Sequence, residues 1–587
     1  MKAAVVVVLL ILGIAAGVMH YGPLAGLLLV AAVLVGVLSF AWWAFIPSRT
    51  MPGNRGRTMR ARLRLRLYPG PGFTTAPGLW LRWGRLAVYR HSGRIRSMLP
   101  RWYRLTTPDS HSVHLGRGQY RHRLRITMDE HVVILSPPRK GKSGWLARVI
   151  NHYPGPVLST TTKADVFALT SGLRTRFGKI HVLNPQNIGK GIAPSTFTWD
   201  PLTGCTDPTV AIRRADSFAG AINTKGVENG DFWRKKAGDY FRAMFCAAAL
   251  DGLGMQDVSD WVLTGHTEQA EAVLTQAGYP KWAAQLAELR SGAEKTTATI
   301  KITMTSALGF LNDPRLAASV VPGGGFGLDI QDLIRNRGTL YMIADQQGEE
   351  APLAPLFACL AGEVHFQASM LAAGYPDGHL DPPLGMFLDE VTQIVPVPVP
   401  TWAADSGGKG IQLFIVAHGQ AQFAERWGEH SARIIFDTAG ALVFLPGITD
   451  PDTLDLAEKL CGTFPAHERG SEHVTRHNVL DAAMLRVLPS KFALVLQSNL
   501  PPVIARVPMA WRDLAYLRAR SRGQAVAPVV AVAMPEPQLA GLPLPVPAPA
   551  DEPGDFPWRT PGTDEIPDGF PVPAAVNGAA KNGARRG

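Results

Sequence analysis

His131-Val132-Val133-Ile134-Leu135, then Ser136-Pro137-Pro138-Arg139-Lys140-Gly141-Lys142-Ser143, then Gly144-Trp145-Leu146-Ala147-Arg148-Val149-Ile150, is the stretch that decides the fold. The first five residues form a short apolar run and read as a buried strand; the last group opens a helix. The eight residues between them match G-x-x-x-x-G-K-[ST] at every defined position except the first, where Ser136 replaces glycine. A turn between a strand and a helix N-terminus lets backbone N–H groups surround phosphates. Lys142 is then placed for the β and γ phosphates of ATP, the Ser143 hydroxyl for Mg2+, and Ser136 to Gly144 form the candidate ATP-binding loop. Serine at position 136 would be strained if the backbone there required a positive φ. The competing reading of the loop is a basic surface turn that binds no nucleotide.

A second stretch favours the nucleotide. Pro383-Leu384-Gly385-Met386-Phe387-Leu388-Asp389-Glu390 is an apolar strand ending in two carboxylates. Asp389, at the strand end, is placed for the Mg2+ shell, and Glu390 for polarising an attacking water. Such an ending is common on its own. Paired with the phosphate loop it points to ATP hydrolysis.

Further apolar runs at 157–159, 180–183, 339–343, 386–388, 413–417 and 441–444 alternate with helical stretches. That alternation predicts an α/β domain with a parallel sheet covered by helices. The expected divisions are a nucleotide-binding domain in two parts (127–204 and 312–521), an all-helical insertion (205–311) rich in helix formers, and a Pro/Ala-rich tail (522–587) whose composition predicts disorder. Residues 47–126 read as a small basic linker domain, with strands expected at Leu79–Trp83 and Leu86–Arg90. Cys205, Cys246, Cys359 and Cys461 are isolated, with no C-x-x-C pair, and read as buried thiols of a reducing compartment rather than as zinc ligands.

Two apolar runs, Ala3–Met19 and Leu24–Ile46, occupy residues 1–46 and predict two transmembrane helices. A cleaved signal peptide is the alternative for the first, although no small-x-small site precedes a polar start. Between Pro47 and Ile126 there are eighteen arginines, no lysine, one aspartate and no glutamate, a charge of +17. The whole chain carries only +12, so the remainder is net acidic and the basic character belongs to this segment. Positive flanks stay in the cytoplasm, which predicts a multi-pass protein of the inner (cytoplasmic) membrane with its motor domain in the cytoplasm. The arginines suit anionic lipid headgroups or DNA phosphates.

In order and spacing the motifs resemble the TraG/TraD family of type IV secretion coupling proteins. The resemblance covers about residues 127 to 515. It rests on the two stretches above, on Ser159-Thr160-Thr161-Thr162-Lys163-Ala164-Asp165, on Trp199-Asp200-Pro201-Leu202, on Phe232-Trp233, and on Gly410-Ile411, Gln420-Ala421-Gln422 and Trp427-Gly428. The helical insertion between the two ATPase motifs and the paired N-terminal helices also match. The resemblance implies a RecA-like P-loop motor that hydrolyses ATP with Mg2+. It implies transfer of single-stranded plasmid DNA with its attached relaxase into a secretion channel, and a homo-hexamer with ATP sites between subunits. A duplex DNA translocase of the FtsK kind, a protein-only export ATPase and a non-hydrolysing membrane scaffold are the rivals. The γ-phosphate sensor falls to His418, Gln420 or Gln422. The family's arginine before Gly-Ile is missing here, and only Lys409 stands near.

Overall fold

The computed structural model describes residues 26–27, 30–31, 33–36, 55–321, 327–345, 352–467 and 474–532. The first apolar run, most of the second and residues 533–587 lie outside them; the described positions between Gly26 and Gly36 are helical. Among the described residues one helix, Ala354–Ala373, is long and apolar enough to cross a membrane, and most of it is buried inside the protein.

Among the described residues the chain builds one eleven-stranded sheet, which with strands numbered along the chain has the order β2-β1-β13-β12-β9-β3-β8-β7-β4-β6-β5. Helix α1 (Arg55–Leu65) precedes β1 (Ser112–Arg117) and β2 (Arg123–Thr127). Then come β3 (Val132–Leu135), α2 (Lys142–Ile150), β4 (Val157–Thr161), α3 (Asp165–Arg174) and β5 (Ile180–Leu183). Helices α4 (Pro208–Gly220) to α9 (Glu294–Leu308) follow, and then β6 (Thr339–Ile343), α10 (Ala354–Ala373), β7 (Leu384–Leu388), β8 (Ile411–Ala417) and β9 (Ala441–Phe444). A separate hairpin, β10 (Thr463–His467) with β11 (Val474–Asn478), precedes β12 (Phe492–Gln497) and β13 (Val503–Arg506).

The seven strands from β9 to β5 pair in parallel. Each coincides with one of the apolar runs, because helices on both faces leave no side of such a strand wet. The expectation of a parallel sheet covers only this half. Strands β12, β13, β1 and β2 extend it in antiparallel pairing. The basic segment is therefore joined to the rest of the sheet: β1 pairs with β13, and the Trp145 indole N–H on α2 donates to the Leu115 carbonyl at 2.9 Å.

Within that segment the strands expected at Leu79–Trp83 and Leu86–Arg90 are short helices, Ala76–Arg82 and Arg85–Tyr89. Thr75 caps the first through the Gly78 amide, and Pro77 sits in its opening turn, so local start signals override the apparent alternation. Of the aromatic residues here, Trp83 is fully buried whereas Trp80 and Trp102 are exposed. Not all the arginines face out. Arg125 pairs with Asp109 at 2.5 Å and Arg96 with Asp381 at 2.5 Å, and Arg62 is buried.

Residues 205–311 contain helices and no strand. They are held by an aromatic cluster in which Phe218 meets Phe241 at 5.4 Å and Phe245 at 5.6 Å, ring centre to ring centre. Arg213 and Arg214 bind Glu363 of α10 at 2.9 and 3.4 Å, with Arg214 and Glu363 both buried. Arg214 also donates to the Pro201 carbonyl at 2.8 Å, so Trp199–Leu202 is the stapled joint between sheet and insertion.

The tail begins later than Arg522. Gly172 donates to the Ala525 carbonyl at 3.2 Å, the Ala527 amide to Ser171 Oγ at 3.0 Å, and the Val532 amide to the Ser195 carbonyl at 2.9 Å, so this stretch is docked on α3 and on the chain after β5. The four cysteines are buried and free, and burial raises every thiol pKa.

Candidate active site

Strands β3, β8 and β7 are neighbours and run in one direction, so their C-terminal ends form one edge. The phosphate loop follows β3, His418 follows β8, and Asp389-Glu390 follows β7. Ligands of open α/β sheets bind outside this edge.

Helix α2 starts at Lys142 with Gly141 as its left-handed N-cap (φ 91°), and no side chain caps it. The amides of Lys142, Ser143 and Gly144 therefore open the helix with neither an intrahelical carbonyl nor a cap, a ready site for an anion. Ser136, fully buried, is not among the positive-φ residues, so the strain considered for it is absent. The left-handed non-glycine position in the loop is Arg139, at φ 61°.

Lys142 bridges the two carboxylates, donating to Glu390 Oε1 and lying 3.1 Å from Asp389 Oδ1. Burial alone would lower the Lys142 pKa, but the two carboxylates outweigh it and raise it. Burial dominates at Asp389, whose carboxyl is pushed up to about 6 against the pull of Lys142. Glu390 occupies a left-handed backbone conformation at φ 50°, costly for a side-chain-bearing residue and a pattern that clusters at functional positions. Its Oε2 is buried without a hydrogen-bond partner.

His418 joins the cluster: Nδ1 is 3.0 Å from the Ser136 carbonyl oxygen and Nε2 is 3.3 Å from Glu390 Oε1. Gln422 reaches only the His418 amide, at 2.8 Å. The Gln420 amide donates to Thr453 Oγ1 at 2.8 Å. Of the three sensor candidates, His418 alone touches both the loop and the carboxylates. Lys409, tied to Asp405, precedes β8 and so stands at the opposite edge of the sheet. Thr160, in the Ser-Thr-Thr-Thr-Lys stretch, donates to the Asp389 carbonyl at 3.1 Å and braces the acidic turn.

Sequence reading missed the wall of this site. After β13, Met509 lies against Gly141 and the Trp511 ring against Gly144, where a Cβ would collide with it. Trp511 remains 42% exposed. Asp513 clamps the turn by accepting from Arg148 and, at 2.7 Å, from His152, both on or just beyond α2. Burial pushes its carboxyl up, but His152 and Arg148 prevail and hold it at about 2. An exposed tryptophan is visible in a sequence only as a tryptophan. Its contact with Gly144 arises from pairing between segments hundreds of residues apart.

The site is a paired-carboxylate, lysine and helix-terminus arrangement suited to a polyphosphate and a divalent cation. The family model for the TraM recognition site of TraD and TraG matches residues 383–485, from β7 through β8 to the helix preceding β12. No curated protein matches the chain. Among solved structures the fold is similar to the unbound monoclinic form of the bacterial conjugative coupling protein TrwBdeltaN70. That alignment has 15% identity and a TM-score of 0.51, covering 66% of this chain and 88% of that one. The trigonal form in complex with sulphate gives the same values. The complex of plasmid coupling protein TrwB with a non-hydrolysable ATP analogue aligns at 17% identity and TM-score 0.50, over 65% of this chain and 86% of that one. At these identities the likeness is one of fold. The sequence match is confined to residues 383–485, and over 66% of the chain the fold is similar to that of a conjugative coupling protein.

Proposed function

We propose that this chain is a membrane-anchored ATPase that couples hydrolysis to the transfer of single-stranded DNA, with its attached relaxase, into a type IV secretion channel. The observation that carries the proposal is the meeting of Lys142, Asp389, Glu390 and His418 at one sheet edge of a coupling-protein fold. Lys142 is engaged by its own carboxylates. ATP supplies stronger anionic partners, and Lys142 moves to the β and γ phosphates while the opening amides of α2 take the remaining phosphate oxygens. Glu390, released from Lys142, accepts a proton from water as the water oxygen attacks the γ phosphorus and the bond to the β–γ bridging oxygen breaks. Mg2+, when bound, offsets phosphate charge; Ser143 and Asp389 are the residues that would hold it, and the buried, partner-poor carboxylate pair fits such a cation.

His418 is the proposed sensor, since a shift of either the loop or Glu390 moves its partners. The exposed Trp511 face is proposed as the wall on which the nucleobase rests. It packs against Gly144, at the end of the loop. The TraM-recognition match supports a relaxosome partner, and the family resemblance carries with it a homo-hexamer, an inner-membrane anchor and contact with the secretion channel.

The test is ATP turnover by residues 47–587 alone, with single strands, with duplex and with relaxase. Stimulation by single strands and relaxase is the expected outcome. Stimulation by duplex only would make the chain a duplex translocase. Turnover unaffected by any DNA would leave protein export, and no turnover under any condition would make it a scaffold.

A further inference from the structure

The arginine-rich segment is not used uniformly. Some of its arginines are consumed internally, as the Arg96–Asp381 and Arg125–Asp109 pairs show. Others converge. Arg123, Arg117 and Arg506 stand directly opposite one another across β2, β1 and β13, so three like charges lie in one cross-strand row. Such a row is destabilising unless something offsets it. Burial and neighbouring arginines lower the pKa of both Arg117 and Arg506, with Arg66 and Arg121 among those neighbours in each case. None of Arg66, Arg117, Arg121 and Arg506 makes an ion pair with a carboxylate among the described residues. Asp513, the acid that acts on Arg117, is already taken by Arg148 and His152.

Arg66, Arg117, Arg121 and Arg506 line a cavity of about 250 Å³ with Leu67 and Phe492 in its wall. The backbone is bent to make it. Arg66 (φ 61°), Tyr120 (φ 51°) and Arg121 (φ 62°) are all left-handed, and the Tyr120 amide donates to the Arg66 carbonyl at 3.1 Å, locking the two turns together. Strain of this kind persists where the surroundings hold it, and it marks ligand clamps.

We propose that this cavity binds the phosphodiester headgroup of an anionic phospholipid. Its volume is below the roughly 300–1,000 Å³ of pockets that take drug-sized ligands, so it suits a headgroup better than a nucleotide. A compact pocket also differs from the long groove needed to track a DNA strand. Its flanks are those of a bilayer-facing surface. Leu79 packs on Gly118, which brings the Ala76–Arg82 helix beside the arginine turn, and Trp80 and Leu81 on that helix are each 58% exposed. Exposed aromatic and aliphatic side chains around basic groups engage a membrane interface. Arg66 directly follows α1, and only a short connection separates α1 from the second apolar run. The proposal rests on reading that run as a membrane anchor.

The test uses full-length protein in neutral detergent and short-chain phosphatidylglycerol below its critical micelle concentration, with short-chain phosphatidylcholine as comparison. Binding is followed by calorimetry. The quadruple variant R66Q/R117Q/R121Q/R506Q is compared with the charge-matched control R85Q/R90Q/R94Q/R101Q, and melting curves establish that both fold. Should the quadruple variant not fold, the single variants R117Q and R121Q take its place. Phosphatidylglycerol should bind the parent and the control at least tenfold more tightly than phosphatidylcholine does, and the pocket variant should lose that preference. Three results would overturn the proposal: equal binding by the pocket variant, equal loss in the control, or complete displacement of the lipid by equimolar single-stranded oligonucleotide. Inorganic phosphate binding as tightly as phosphatidylglycerol would also overturn it, replacing a lipid by the free ion. Because the lipid is soluble, this readout does not depend on anchoring. Carbonate extraction of full-length protein from membranes tests the anchor separately.

Discussion

Two clusters of charge lie along the same edge of one sheet and obey opposite rules. In the parallel half, Lys142 stands between Asp389 and Glu390, buried and close to balanced. Because β13 runs in the same direction as β3, Arg506 ends at that edge too, about three strand spacings of roughly 4.8 Å away. There the arginines gather at a solvent-open pocket with no carboxylate of their own. A balanced buried cluster is stable in itself and must be opened by a competitor, which is how a site waits for a polyphosphate. An unbalanced exposed cluster is held in place by the fold and improves when an anion arrives. Removing one charge should therefore have opposite consequences at the two places.

The largest effect belongs to Lys142→Ala. It removes the cation from two buried carboxylates and from the phosphates, so nucleotide binding and ATP turnover should both vanish. Leaving a buried charge uncompensated costs about 3–5 kcal/mol, and the melting temperature should fall accordingly unless the carboxyls protonate. Glu390→Gln removes one charge from the same cluster with little change of shape. Turnover should drop by roughly 10²–10⁴-fold while binding of a non-hydrolysable analogue persists. Turnover equal to the parent's would remove Glu390 from its assigned role.

Asp513→Asn tests the clamp between the two halves. It leaves Arg148 without its carboxylate and should cost about 2–3 kcal/mol in denaturant unfolding. The pH dependence has a definite sign. The folded pKa, about 2, lies below the ordinary value of 3.8. The stabilisation is therefore complete above about pH 4 and is lost as pH falls toward 2. The variant should lack that acid-side dependence. An unchanged acid profile would show that Asp513 is not what carries it.

The same contrast explains which parts of the fold could be read in advance. Strands buried on both faces must be apolar throughout, so 132–135, 384–388 and 411–417 announced themselves, and with them the strand ends proposed to carry the chemistry. Lys142, Asp389 and Glu390 could be singled out because phosphate chemistry would demand those types at strand ends, and the fold brings the three together. The antiparallel half was not. Val113, Leu115, Leu124 and Ile126 are buried, but they alternate with arginines and histidines, a pattern short helices also produce. Choosing His418 over Gln420 and Gln422 needed the loop and the acidic turn in three dimensions, because all three sit within one turn of chain.

Trp511→Ala probes the seam from the nucleotide's side. Loss of one aromatic face should weaken ADP and ATP affinity by roughly tenfold, about 1–1.5 kcal/mol, with kcat little changed. Trp511→Phe should restore most of it. A raised KM that phenylalanine does not rescue would mean that the ring only supports Gly144.

The smallest expected effect is the most specific to the comparison. Arg117→Gln takes the middle charge out of the Arg123–Arg117–Arg506 row. Directly opposed like charges destabilise a sheet pair, and each such interaction is on the order of 0.2–1 kcal/mol. Without anions the variant should therefore be more stable than the parent, in contrast to any removal at Lys142. The gain should shrink as salt rises, since exposed charges are screened over about 10 Å at 0.1 M ionic strength. Adding short-chain phosphatidylglycerol should reverse the order, because a ligand that binds only the folded parent stabilises it by mass action. Denaturant unfolding at low salt, high salt and with lipid gives all three points. A variant less stable than the parent at low salt would show that Arg117 already has a compensating partner, and that the second cluster is balanced like the first.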